Sequence, residues 1–136
     1  MRLQPETIAQ IKLFDWIRSR KDLAPFCFHI ANERRTSVQN GLILKRMGVR
    51  SGVSDVFIGI SRSHYHGMFL ELKEGSNKPT KSQEQFILDF ASQGYYCLWC
   101  TGYEEAKECI EDYLERPSFV LTNPSRLSSA SIEWAI

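Results

Sequence analysis

Three residues of the types used in metal-dependent hydrolysis lie in two apolar segments joined by a polar one. Asp55 lies in VSDVFIGI (53–60), Glu71 and Lys73 lie in GMFLELK (67–73), and SRSHYH separates the two runs. Two β-rich runs joined by a short polar segment predict an antiparallel hairpin. Because Asp55 and Glu71 are equally distant from Ser63, a turn centred on Ser63 places the two carboxylates opposite each other.

The chemistry of this trio is that of a divalent-metal site. Opposed carboxylates destabilise a hairpin unless a cation lies between them or one is protonated. Glu71 and Lys73 share a face of their strand, whereas Leu72 points into the opposite layer. Mg²⁺ prefers oxygen ligands and keeps waters that a substrate phosphate can replace. We therefore expect Asp55 and Glu71 to bind the ion and Lys73 to orient or deprotonate the attacking water, with a solvated strand edge as the alternative.

Charge is distributed unevenly along the chain. Residues 34–81 contain nine Lys or Arg and three acidic residues, whereas the stretch from residue 82 onward contains three basic and nine acidic ones. This asymmetry predicts a basic face that binds the phosphates of a polyanion, although a solvated mosaic of charges is an open alternative. The candidate DNA-binding residues are Lys45, Arg46, Arg50, Lys78 and Lys81.

Length and composition predict one folded domain. The chain has 136 residues, 43% of them hydrophobic, which is enough for a single core. We expect a domain over 1–116 and a tail over 117–136 that is mobile or packed on a partner subunit. We see neither a membrane-length apolar run nor a signal sequence, and therefore expect a cytoplasmic protein without membrane contact or organic cofactor. The four cysteines should be reduced thiols, with the Cys97-x-x-Cys100 pair as an open metal or redox alternative.

Periodicity and turn residues predict the elements that position the trio. Helical spacing is present over 6–17, 82–94 and 103–114, with Gly94 as a helix stop, and β-rich runs lie at 26–30 and 95–101, both expected to be buried strands. Between residues 31 and 49 we expect a loop followed by a short helix. This order predicts an α/β domain with a mixed β-sheet flanked by helices.

The motifs together resemble a known family. Asp55 followed by Glu71-x-Lys73 resembles the PD-(D/E)XK nuclease superfamily. The segments LKRMGVRSGVSDVFI and ELKEGSNKPTKSQEQF, within a similarity that runs from about Glu6 to Leu114, are similar to stand-alone phage and bacterial VRR-NUC domains. The resemblance implies a restriction-endonuclease-like core. Two departures, Ser54 before the aspartate and Ser51 after Arg50, remove no metal ligand.

The resemblance also implies roles for individual residues. Asp55 and Glu71 would bind Mg²⁺ or Mn²⁺ together with the backbone carbonyl of Leu72, and Lys73 would be the catalytic lysine. Glu6 would match an acidic residue near the metal, and Gln85 would match the glutamine of the family. Whether Glu6 or Glu33 joins the metal site stays open, and His29, His64 and His66 are interpreted as surface residues.

The function implied is that of a metal-dependent, structure-specific DNA endonuclease. Small members of the family are similar to Holliday-junction resolvases, which implies a homodimer acting on branched DNA, inside a bacterial or phage-infected cell. The alternative is a catalytically idle DNA-binding or assembly module with the same fold.

Overall fold

The computed structural model describes residues 2–31 and 37–118. Helix α1 (Pro5–Ser19) begins at a proline, whose fixed φ suits the first helical position. The remaining elements are a 3₁₀ turn (Ala24–Phe26), β1 (Cys27–His29), α2 (Val38–Arg46), β2 (Val56–Ile58), β3 (Met68–Lys73), α3 (Lys81–Ser92), β4 (Tyr96–Thr101) and α4 (Gly102–Leu114).

The four strands form one mixed sheet in the order β1-β2-β3-β4. β1 pairs with β2, and β2 with β3, in antiparallel fashion, whereas β3 and β4 are parallel. A parallel pair needs a crossover connection, and α3 provides it. The predicted α/β class with a mixed sheet flanked by helices is therefore confirmed.

The β2–β3 hairpin has the register that equal spacing from Ser63 predicts. Val56 is opposite Leu70, and Ile58 is opposite Met68. Ser63 itself adopts a positive φ of 51°. β2 is shorter than the predicted strand over 53–60, and Asp55 lies immediately before its first residue. The same register, continued by one position, places Asp55 beside Glu71.

Alternation along the hairpin gives its two faces different neighbours. On one face, side chains of β2 and β3 pack against α1 and α4 in a fully buried core that includes Val56, Ile58, Leu70, Leu72, Leu13, Ile17, Ile110 and Tyr113. On the other face Phe69 packs edge-on against Phe86 and Phe90 of α3, at centroid distances of 5.1 Å. Glu71 and Lys73 lie on this second face, because residues two apart on a strand point the same way.

The interpretation of 26–30 and 95–101 as buried strands is wrong. β1 and β4 are the two edge strands of the sheet. Phe28 in β1 is 54% exposed. Within β4 only Cys100 is fully buried, while Trp99 is 41% exposed. A strand with a neighbour on one side only can carry aromatic side chains that are half in solvent. The predicted stop at Gly94 is confirmed, since this glycine takes a φ of 88° directly after the end of α3.

The segment before β2 contacts α3 closely. Gly52 has a φ of 80°, and a Cβ placed there would lie 2.3 Å from the backbone oxygen of Ser82. Arg50 Nη2 lies 2.6 Å from Asp89 Oδ2, and its guanidinium stacks over Phe86 and Phe90. Backbone contact and side-chain anchoring therefore fix Asp55 relative to the start of α3.

No helix in 2–31 or 37–118 is long and apolar enough to cross a membrane.

Pro117 accepts a hydrogen bond through its carbonyl from the Ser63 N–H at 2.7 Å. Most of the predicted tail, including the apolar residues Phe119, Val120, Leu121, Ile132 and Trp134, lies outside the described residues, as does Glu33. The domain limits of 1–116 and 117–136 stay a prediction.

Candidate active site

Asp55 and Glu71 are two acidic side chains buried at one end of the sheet. Asp55 is 9% exposed and Glu71 is 1% exposed. Asp55 Oδ2 accepts a hydrogen bond of 2.9 Å from the backbone N–H of Leu72, which fixes the carboxylate against β3. The N–H and C=O of one strand residue point to the same side of the strand, so the Leu72 carbonyl is directed towards Asp55. The three predicted metal ligands therefore lie together.

Lys73 lies next to this pair. Its Nζ is 3.4 Å from Glu71 Oε1, and its side chain is 12% exposed. Removing charges from water is costly unless they are paired, so the carboxylates and this ammonium group depend on one another. Acidic side chains outnumber basic ones among these three residues, which favours the binding of a cation.

The glutamine at the site is Gln83, which the sequence analysis missed. Gln83 Nε2 donates to Glu71 Oε1 at 2.7 Å, and Gln83 Oε1 accepts from the Thr80 N–H at 2.8 Å. The predicted Gln85 instead donates to Asp89 on the exposed side of α3, so the structure does not bring it to Glu71. The available signal was Thr80-x-x-Gln83 after Pro79, a capping-box pattern that the structure forms at the start of α3.

We expect Gln83→Ala to lower cleavage about 10- to 100-fold, the usual cost of losing a partner that orients a metal ligand. The variant leaves the Glu71 carboxylate without its amide donor and also removes half of the capping box. Cleavage rates measured over a range of Mg²⁺ concentrations will separate weaker metal use from slower turnover.

Gln85→Ala is the matched control for that variant, since it removes a nearby amide of the same helix. It should cleave at nearly the rate of the unmodified chain. A larger loss with Gln85→Ala than with Gln83→Ala would contradict the assignment.

Glu6 and His29 line the same cleft as Asp55. This cleft has a volume of about 430 Å³ and also includes Thr7 and Gln10 of α1. His29 Nδ1 lies 2.7 Å from the backbone oxygen of Asp55. Because a carbonyl oxygen only accepts hydrogen bonds, Nδ1 is the protonated nitrogen. His29 is thus a surface residue that also positions the backbone of Asp55, whereas His66 contacts Gly94 and Tyr95 near the hairpin turn.

The predicted DNA-binding residues fall into three groups. Lys78 and Lys81 are exposed in the loop after β3 and at the start of α3, close to Gln83. Lys45 and Arg46 are exposed in the last turn of α2. Arg50 differs from the others because its guanidinium binds the carboxylate of Asp89. Hydrogen bonds from Gln85, and secondarily from Arg50, hold the pKa of the Asp89 carboxyl below its usual range. The first role of Arg50 is therefore to anchor the segment before β2.

The cysteines do not form a second chemical site in the described part of the chain. Cys97 and Cys100 lie on an extended strand, where residues three apart are separated by roughly 10 Å and point to opposite faces. That distance excludes a disulfide between them. All four cysteines are free thiols, and burial raises the pKa of Cys27 and Cys97 to about 11. Such thiols are protonated and poorly nucleophilic at neutral pH.

The oxygen donors around Asp55 fit a hard divalent cation. The site offers two carboxylates and a backbone carbonyl, and in 2–31 and 37–118 no group of three or more His, Cys, Asp or Glu side chains could hold a metal. Zinc sites usually need three or four protein ligands. Mg²⁺ is usually bound by one or two carboxylates and completes its shell with water and substrate phosphate. The oxygen donors of the site are therefore of the type that Mg²⁺ accepts.

The fold matches a solved structure. A protein described as "VRR_NUC domain protein" superimposes on this chain with a TM-score of 0.76 and a sequence identity of 26%. The match covers 88% of this chain and 96% of that protein. This likeness supports the VRR-NUC resemblance of the sequence motifs. No protein-family model matches the sequence, and no curated protein matches it either.

The likeness spans most of both chains and supports a nuclease-family protein.

Proposed function

We propose that this chain is a Mg²⁺- or Mn²⁺-dependent endonuclease that hydrolyses DNA phosphodiester bonds and resolves four-way junctions as a homodimer. The observation that carries the proposal is the grouping of Asp55, Glu71 and Lys73 on one sheet face, beside an open cleft, in a fold similar to that of a VRR-NUC domain protein. The assignments of individual residues are part of the proposal.

Asp55, Glu71 and the Leu72 carbonyl would hold the metal. A bound divalent cation polarises a phosphoryl oxygen and lowers the pKa of a coordinated water. Burial keeps both carboxylates in fixed positions, with Asp55 held by the Leu72 N–H and Glu71 by the Gln83 amide. Preorganised ligands of this kind need little rearrangement when the substrate binds.

Lys73 would act on the attacking water and on the charge that develops at phosphorus. Its ammonium group lies on the same face as both carboxylates and is mostly shielded from solvent. A positioned cation in such a place stabilises negative charge more strongly than it would in water. To act as the general base as well, Lys73 would first have to lose its own proton, because only the neutral amine can accept a proton from the water.

The basic residues around the site suit a DNA backbone. Lys78 and Lys81 flank the start of α3, and Lys45 and Arg46 end α2. Contacts of this type neutralise phosphates, release counterions and supply affinity that does not depend on sequence. Such contacts would place a strand across the cleft that contains Asp55.

The dimer follows from the number of cuts that resolution requires. Residues 2–31 and 37–118 of one chain offer one candidate metal site, which would cut one strand, whereas resolving a four-way junction needs two symmetry-related cuts. A two-fold homodimer supplies two identical sites and is the commonest soluble assembly. It would also double the phosphate contacts to the junction arms.

Cleavage of a panel of four-way junction, flap, duplex and single-stranded DNA, with Mg²⁺, Mn²⁺ or neither, tests the proposal. We expect metal-dependent paired nicks across the junction and a dimer by light scattering. Absence of cleavage on all substrates would contradict the nuclease assignment. A protein that cuts flaps without paired nicks, or that stays monomeric on a junction, would contradict only the resolvase assignment.

A further inference from the structure

Helix α2 (Val38–Arg46) is the least covered helix of the described chain. It has no buried residue. Four large apolar side chains on or directly after it are strongly exposed: Val38 at 83%, Leu42 at 59%, Ile43 at 50% and Met47 at 75%. We call these four residues the α2 apolar patch. Large apolar side chains grouped at a surface mark a binding surface more often than isolated ones do.

Helix α2 needs contacts outside itself to be stable. Helices shorter than about 12 to 15 residues are marginal in water, and α2 has nine residues, including Gly41 in its interior. Gly41 and Leu44 are half-buried on the side that lines a cleft of about 710 Å³. At 3.6 residues per turn, Leu42 and Ile43 lie on the other side of the helix, and Val38 and Met47 lie at the two margins of that side. A ligand bound on that side would cover the apolar side chains that the domain leaves exposed.

The charges near the patch and its location indicate the class of ligand. Lys45 and Arg46 lie in the last turn of α2, and Arg50 follows closely. The cleft beneath α2 includes Ala31, which also lines the cleft that contains Asp55. The two clefts are therefore neighbours, and a DNA strand that crosses the metal site reaches α2.

A surface that is apolar and cationic complements DNA where bases are unstacked. Regular duplex presents phosphates but no base faces, while a branch point presents both. Proteins that open or bend DNA insert Leu, Ile or Met side chains between bases and hold the flanking phosphates with basic residues. A second copy of α2 would instead bring the Lys45 and Arg46 clusters of two chains close together, which like charges oppose.

We infer that α2 is the element that recognises the branch: the α2 apolar patch contacts unstacked bases, and Lys45 and Arg46 hold the adjoining phosphates. This inference rests on the proposed function, because it assumes that branched DNA is the substrate. It assigns to α2 the choice of DNA structure and leaves bond cleavage to the site around Asp55.

The test is a triple variant, Leu42→Gln, Ile43→Gln and Met47→Gln, compared with Leu88→Gln, which changes a 65% exposed apolar residue on α3. Glutamine keeps helix propensity, so the fold should persist. Affinities for a four-way junction and for a duplex formed from two of its arms are measured without divalent metal. We expect the junction-to-duplex affinity ratio to fall about tenfold or more, as loss of buried apolar contacts predicts. The duplex affinity of the triple variant and both affinities of the Leu88→Gln control should equal those of the unmodified chain.

Three further measurements complete the design. 2-Aminopurine placed at the branch should brighten on binding of the unmodified chain and not of the triple variant. If the triple variant melts at a lower temperature than the unmodified chain, Met47→Gln alone replaces it, because Met47 lies just beyond the end of the helix. This single variant should lower the junction-to-duplex affinity ratio by a smaller factor. An unchanged affinity ratio, or conversion of a dimer to a monomer by the variant, would overturn the inference.

These outcomes are distinct from failure of the proposed function. If the unmodified chain cleaves no DNA with Mg²⁺ or Mn²⁺, the nuclease proposal fails, while metal-free binding still reports on α2. If cleavage is intact and the triple variant keeps full junction selectivity, only the role of α2 is wrong.

Discussion

Asp55→Asn and Glu71→Gln will each lower metal-dependent cleavage by about a thousandfold or more, because a metal ligand supplies several kcal/mol of transition-state stabilisation. Both amides keep the size of the original side chain and remove only its charge. Asparagine at 55 can still accept from the Leu72 N–H, and glutamine at 71 can still accept from Gln83. Folding should therefore persist, and the loss will report on the metal.

Alanine at position 55 is a less clean test than asparagine. It leaves the buried Leu72 N–H without its acceptor, which costs about 1 to 3 kcal/mol of unfolding free energy. We expect Asp55→Ala to be inactive and also to melt at a lower temperature than Asp55→Asn. Thermal melting and cleavage assays on the same preparations separate the two effects.

Asp22→Asn serves as the control, since Asp22 is an exposed carboxylate paired with Arg20. It should cleave at the normal rate. Substantial residual cleavage by both Asp55→Asn and Glu71→Gln, in preparations free of unmodified protein, would contradict the assignment of these residues as ligands.

Lys73→Ala is the second change with a large expected effect, a loss of about 10²- to 10⁴-fold in turnover. The apparent Mg²⁺ affinity should fall little or even rise, because the variant removes a positive charge 3.4 Å from Glu71 Oε1. Turnover measured at saturating metal, together with metal titrations, distinguishes these two quantities. Lys12→Ala, at an exposed position of α1, is the control.

Lys73→Arg separates the two roles proposed for the lysine. Arginine keeps the positive charge but is always protonated, so it cannot accept a proton from water. We expect partial activity if charge stabilisation contributes and little activity if proton transfer dominates. Full activity of Lys73→Arg would exclude Lys73 as the general base.

The parts of the site that depend on strand geometry could be predicted from the sequence. Equal spacing of Asp55 and Glu71 from Ser63 defines their pairing, since each strand residue has one partner across a hairpin. The side-chain alternation of a strand likewise places Lys73 with Glu71 and sends Leu72 into the core. These features follow from local geometry that no distant contact alters.

The parts that depend on tertiary contacts could not be predicted in the same way. The choice between Gln83 and Gln85 depends on where α3 begins, and a shift of two residues turns a helical side chain by about 200°. The exposure of Trp99 depends on β4 being at the edge of the sheet. The engagement of Arg50 by Asp89 joins residues 39 positions apart, a pairing that charge counts along the chain do not reveal.

The close contact between Gly52 and Ser82 has a consequence for protein engineering. No side chain fits between these two backbones, so the segment that carries Asp55 packs directly against the helix start that carries Gln83. A chimera that received residues 53–73 alone would bring the proposed ligands without the surface that aligns them. We therefore expect a chimera to need at least the continuous stretch 50–89, which includes both ends of the Arg50–Asp89 ion pair.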